Sequence, residues 1–71
     1  MNHQPSIQEL GGITAYLDQT ADKHNGHGSA DFAKYYADWK AGLLPLSRWA
    51  KAMNVSSQTL KYKWLVLWEE Q

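Results

Sequence analysis

Five basic side chains lie between positions 40 and 63 of this 71-residue chain, and no acidic residue lies among them. They give the stretch a formal charge of +5 and are Lys40, Arg48, Lys51, Lys61 and Lys63. Residues 1–33 carry the opposite excess, because one lysine there stands against four acidic residues. Although the net charge of the whole chain is zero, an anionic partner is therefore expected on the C-terminal half.

Other chemistries have weaker support. His24 and His27 have the spacing of metal ligands, but only His3 could add a third ligand, so we expect no metal and no cofactor. The acidic residues are scattered and no Ser/His/Asp set is readable, which argues against an enzyme. The chain has no cysteine, no signal-peptide pattern and no apolar run of membrane-spanning length. These features favour a soluble, cytoplasmic protein without membrane contact.

The elements that must position the basic residues follow from the apolar spacing, which predicts one all-α domain covering residues 1–71. We expect a bundle of about four short helices whose last two form a helix-turn-helix at about 46–69, with a flexible N-terminus at 1–5. The first helix is predicted to begin at a capping box formed by Ser6 and Glu9. Gly11-Gly12 should weaken it, and a kink or an early break there is the alternative to a continuous helix.

A loop is predicted from His24 to Ser29, and Ser29 or Asp31 should cap the second helix. The apolar face of that helix is expected to contain Phe32, Tyr36, Trp39 and Leu43, and Gly42 should end it.

The third helix is predicted from the spacing of Leu46, Trp49, Ala50 and Met53. Asn54 suits the positive-φ position that follows, and Ser56 suits the N-cap of the last helix. A helix-turn-helix requires a small residue at the helix crossing, a turn residue and apolar positions after the turn. This segment has all of them in register.

The segment GLLPLSRWAKAMNVSSQTLKYKW resembles the C-terminal DNA-binding helix-turn-helix of resolvase and invertase-type serine recombinases and of related homeodomain-like regulators. The resemblance covers residues 36–64, and its best part is VSSQTL. Asn54 stands where that family usually has glycine, and Lys63-Trp64 replaces an arginine-rich stretch. The recombinase catalytic domain is not part of the resemblance, so recombinase activity is not expected.

The resemblance implies that the start of the last helix faces double-stranded DNA. Gln58 would pair with an adenine edge, Ser57 would reach a base or a phosphate, and Ser56 and Tyr62 would hold phosphate oxygens. The cations would supply salt-dependent attraction to the backbone. The full expected DNA-binding set is Arg48, Lys51, Ser56, Ser57, Gln58, Lys61, Tyr62 and Lys63.

Residues 64–68 are consecutive and apolar, and one helix face cannot bury all five. Trp64 and Trp68 are expected in the core, which leaves Leu65 and Val66 for a homodimer or partner interface. The function expected from the sequence is a small DNA-binding transcriptional regulator or accessory factor of bacterial or phage type. The alternative is a protein-interaction module or phage-encoded inhibitor that binds a host protein through its Trp-rich C-terminal helix. A solvated helix face without a partner is the simplest reading of the same polar residues.

Overall fold

The computed structural model describes residues 6–71, so the flexibility predicted for residues 1–5 lies outside the described residues. Every regular element in the described part is helical, which confirms the all-α class. The elements are α1 (Ile13–Gln19), a 3₁₀ turn (Ala21–His24), α2 (Ser29–Lys40), α3 (Leu46–Ala52), α4 (Ser57–Thr59), a π-helical turn (Leu60–Trp64) and α5 (Leu65–Glu70). The last three are continuous and are called the C-terminal helix below. No helix in residues 6–71 has the length and apolar character needed to cross a membrane.

The first helix begins later than the sequence indicates. The capping box forms, since the Glu9 N–H donates to Ser6 Oγ and the Ser6 N–H donates to the Glu9 carboxylate, both at 3.2 Å. It closes only an isolated turn, because Gly11 and Gly12 adopt φ values of 103° and 106° that a helix cannot contain. The continuous helix predicted from Ser6 is therefore wrong, the alternative of an early break at Gly11-Gly12 is confirmed, and α1 begins at Ile13.

Capping of α2 comes from α1 rather than from α2 itself. Asp18 Oδ1 accepts hydrogen bonds from the Ser29 N–H at 2.9 Å and the Ser29 hydroxyl at 2.8 Å. These bonds, the backbone one foremost, lower the pKa of Asp18 below its ordinary value. A β-carbon at Gly28 would lie 2.9 Å from the same oxygen, so this approach depends on glycine. Asp31 contacts His27 instead, at 3.0 Å, and the predicted cap by Ser29 or Asp31 is wrong.

The core is built around aromatic side chains from three helices. Phe32 is fully buried, and its ring centroid lies 4.9 Å from that of Trp49 and 4.7 Å from that of Trp68. Trp39 is partly buried against this group. Leu43 is 75% exposed, because α2 ends at Lys40 and Gly42 turns the chain away from the core with a φ of 77°. The assignment of Leu43 to the apolar face of α2 is therefore wrong.

A single wide turn changes the buried face of the C-terminal helix. The Leu65 N–H donates to the carbonyl of Leu60, five positions earlier, instead of four as in an α-helix. The extra residue in this turn brings two neighbours inward, so that Trp64 is 2% and Leu65 is 3% exposed. The sequence-based expectation that Leu65 faces outward assumed regular α spacing and is wrong.

Candidate nucleic-acid interface

The turn between α3 and the C-terminal helix has the geometry that the sequence predicts. Asn54 adopts a φ of 55°, and the Asn54 N–H donates to Lys51 O while the Val55 N–H donates to Ala50 O. This pair of bonds is the Schellman ending, with asparagine in the left-handed position that glycine usually takes. Ser56 then caps the next helix by accepting from the Thr59 N–H at 3.1 Å.

A second segment of the chain holds this turn from the side. The Asn25 side-chain amide donates to Ala52 O at 2.8 Å, and His24 Nδ1 lies 2.9 Å from Met53 O. In return, the Asn54 side-chain amide donates to Lys23 O at 3.3 Å. We call these three hydrogen bonds the inter-turn contact. Two of them satisfy the carbonyls of Ala52 and Met53 at the end of α3, and the third satisfies the carbonyl of Lys23. Together they tie the end of α3 to the N-terminal half.

His24 anchors the inter-turn contact in the core. Its side chain is 8% exposed, and its ring lies edge-on to Trp64 with the centroids 4.8 Å apart. The Met53 carbonyl can only accept a hydrogen bond, so Nδ1 is the donor in this contact. Nε2 is buried and has no hydrogen-bond partner among the described residues. The loop predicted from His24 to Ser29 is therefore packed against the core at its first residue, His24.

A groove opens beside the turn and gathers three of the predicted DNA-contacting residues. Its volume is about 510 Å³, and it lies between α3 and the start of the C-terminal helix. Lys51, Ser56 and Ser57 line it together with Ser47, Ala50, Asn54 and Val55. The groove thus has one cation, several hydroxyl groups and no carboxylate among its lining residues.

The remaining predicted DNA contacts lie outside the groove. Gln58, Lys61, Tyr62 and Lys63 are exposed on the C-terminal helix, and Arg48 is exposed on α3. The Lys61 ammonium lies 5.5 Å from the centre of the Tyr62 ring, a cation–π arrangement that leaves both side chains accessible from outside.

Ser56 differs from its predicted role. Its hydroxyl donates to Thr59 Oγ1 at 2.9 Å and accepts the Thr59 N–H, so the proton that a phosphate ligand would need is engaged within the cap. Ser57, which lines the same groove and is partly buried, is the better-placed hydroxyl for an external acceptor.

Of the two residues predicted for the interface, only Val66 is accessible to a partner. Val66 is 44% exposed, whereas Leu65 is buried against the core because of the wide turn at 60–64. Trp64 is buried as expected, and Trp68 is partly buried against Phe32. Leu65 is therefore excluded from direct contact with a partner.

The two histidines with metal-ligand spacing are engaged separately. His24 contacts the Met53 carbonyl, and His27 Nδ1 lies 3.0 Å from the Asp31 carboxylate. No group of three or more potential ligands that could hold a metal ion is found within residues 6–71.

The inter-turn contact is the feature that the sequence did not reveal. It joins residues 27 to 31 positions apart, a distance at which no local pattern pairs side chains with carbonyls. The only signal was the presence of two asparagines, Asn25 and Asn54, each suited to a left-handed turn; both have positive φ.

Comparisons of this chain with protein-family models, with curated proteins and with solved structures give no match. The resemblance to recombinase helix-turn-helix domains thus rests on the residues quoted above.

Proposed function

We propose that this protein binds double-stranded DNA through α3 and the C-terminal helix, as a small transcriptional regulator or accessory factor of bacterial or phage type. The observation that carries the proposal is the carboxylate-free groove at the turn, lined by Lys51 and Ser57 and adjoining the exposed start of the C-terminal helix. A helix in this position can enter the major groove of DNA while the residues beside the turn contact the phosphate backbone.

The exposed side chains divide into two roles. Gln58 lies in the first turns after the Ser56 cap, and its amide can pair with an adenine edge. Lys51, Lys61, Lys63 and Arg48 supply attraction to the phosphates, which dominates affinity and weakens with salt. A protein with this role acts where DNA is found, which in a bacterial cell is the cytoplasm.

Fluorescence anisotropy with labelled random and selected duplexes tests the proposal. Wild-type protein should bind random duplex at about 50 mM salt, where nonspecific attraction is strong. Lys61→Ala should weaken binding to every duplex and reduce the salt dependence by about one charge, whereas Gln58→Ala should cost about 1–3 kcal/mol only on the preferred site.

Lys34→Ala is the matched control, since Lys34 is an exposed lysine on α2, away from the groove. Its affinity for DNA should equal that of the wild type. Absence of binding by the wild type at low salt, or an equal loss in Lys34→Ala and Lys61→Ala, would contradict the proposal.

A protein-interaction module is the second candidate, because Tyr62 is 70% and Val66 is 44% exposed on the same helix. The buried Trp64 cannot take part in such an interface. A host-protein partner of this kind would use the Tyr62 and Val66 surface and would leave the groove beside the turn open.

A further inference from the structure

Large hydrophobic side chains are conspicuously exposed at three places in the described part of the chain. Two of them, Tyr62 and Val66, are four positions apart on the C-terminal helix, while Leu43 lies in the connection after α2. Gln58 and Glu70 continue the same four-residue spacing and are also exposed. We call Gln58, Tyr62, Val66 and Glu70 the outer row. It places two apolar side chains in the middle and polar side chains at each end.

Charge is distributed unevenly along this part of the helix. Lys61 and Lys63 lie on the N-terminal side of Val66, and Glu69 and Glu70 lie on its C-terminal side. Glu69 is already engaged by α2, because it accepts a hydrogen bond from the Tyr36 hydroxyl at 2.8 Å and lies 3.8 Å from the Lys40 ammonium. Glu70 is therefore the carboxylate with which an external cation can pair.

We propose that the outer row binds a second copy of this chain, with the two C-terminal helices antiparallel across a two-fold axis. In this arrangement the positive end of each helix meets the negative end of the other, whereas parallel helices would place like charges together. Tyr62 of one copy lies beside Val66 of the second copy, and Lys61 lies within reach of Glu70 of the second copy. Two-fold symmetry makes each contact occur twice.

Association through this surface is weak and depends on salt. The apolar part consists of two side chains per copy, well below the area of about 800 Å² per partner that stable complexes bury. The dissociation constant is therefore expected in the high micromolar range, and the exposed ion pairs add a modest amount that salt screens.

The dimer also bears on DNA binding, and this part of the inference rests on the proposed function. Gln58 and Tyr62 belong both to the outer row and to the expected DNA-contacting set, so one helix cannot use them for a second copy and for DNA together. Dimerisation therefore lowers the concentration of the monomer that can bind DNA. It does not assist DNA binding as a homodimer of repressor type would.

Sedimentation equilibrium of the full chain without DNA, at low salt and up to about 1 mM protein, tests the dimer. Val66→Ser should weaken association about tenfold, because each dimer loses two buried valines. Leu43→Ser is the matched control and should associate like the wild type. Lys61→Glu and Glu70→Lys should each weaken association about threefold to tenfold, and the double variant should restore it.

A wild type that stays monomeric at about 1 mM, an equal effect of Leu43→Ser and Val66→Ser, or a double charge variant that remains dissociated would each overturn the dimer. Fluorescence anisotropy with DNA tests the second part of the inference, that dimerisation and DNA binding exclude each other. If the wild type dimerises and binds DNA, Val66→Ser should bind at least as tightly as the wild type; weaker binding would overturn the exclusion. A dimer that binds no DNA would refute the proposed function and leave the antiparallel dimer standing.

Discussion

The connection after α2 and the connection after α3 end their helices with the same backbone geometry but differ in what surrounds them. Each has a left-handed residue, Gly42 with a φ of 77° and Asn54 with a φ of 55°, followed by the same pair of backbone hydrogen bonds. Leu43, just after the first turn, is 75% exposed. The second turn is held from the side by the inter-turn contact.

The difference shows that a helix ending and a helix orientation have separate causes. Local backbone bonds suffice to stop α2 and α3. The direction of the C-terminal helix relative to the N-terminal half, which decides where the exposed DNA-contacting candidates lie, also depends on bonds between distant parts of the chain. Substitutions in the core, at the inter-turn contact and at the start of α2 test that separation.

Truncation of the tryptophan on each side of the first turn should have very unequal consequences. Trp49 is completely buried against Phe32, and Trp39 is only partly buried beside it. Trp49→Ala should cost about 3–5 kcal/mol, comparable to the stability of a domain this small, and should unfold the protein. Trp39→Ala should leave it folded with a lower melting temperature. Thermal melts followed by circular dichroism measure both, and equal melting temperatures would show that α3 does not anchor the core.

The contribution of the inter-turn contact to the free energy of unfolding should be measurable with a substitution that keeps the backbone conformation. Asn25 adopts a φ of 58°, which glycine adopts readily, so Asn25→Gly removes the side-chain bond to Ala52 without a conformational penalty in the native state. A loss of about 0.5–1.5 kcal/mol in the free energy of unfolding is expected from urea titration.

Gly42→Asn is the control for that experiment. It places asparagine in a left-handed turn where a β-carbon meets no atom within 4 Å. Left-handed backbone strains asparagine less than other non-glycine residues, so only a small loss of stability is expected. An Asn25→Gly variant as stable as the wild type would mean that local bonds alone set both turns.

The smallest expected effect concerns the start of α2 and depends on pH. Hydrogen bonds from Ser29 lower the pKa of Asp18, so the folded state favours the ionised carboxylate. The resulting stability is present above the ordinary aspartate pKa and is lost as pH falls through the lowered value. The difference in melting temperature between the wild type and Asp18→Asn should therefore shrink from pH 7 towards pH 3. A constant difference would assign the effect of the substitution to packing.

Much of the fold was predictable because its signals are local. The left-handed Asn54, the Ser56 cap, the end of α2 at Gly42 and the burial of Phe32 and Trp49 follow from short patterns that the chain satisfies within a few residues. The start of α1 was not predictable from its capping box, since two positive-φ glycines end that turn whatever the cap contributes.

For the candidate site, the sequence determined which side chains are available: a stretch of cations without carboxylates, hydroxyl groups at the turn, and Gln58 at the start of the last helix. Composition and local spacing fix these because they depend on neighbouring residues alone. The tertiary structure decided which of them are accessible and how they are grouped. One wide turn buried Leu65 and left Val66 outside, and contacts between residues 23–25 and 52–54 joined two segments that no pattern pairs. The physical reason is that packing a small core selects a helical register and long-range hydrogen bonds by the free energy of the whole domain, which no short stretch of sequence contains.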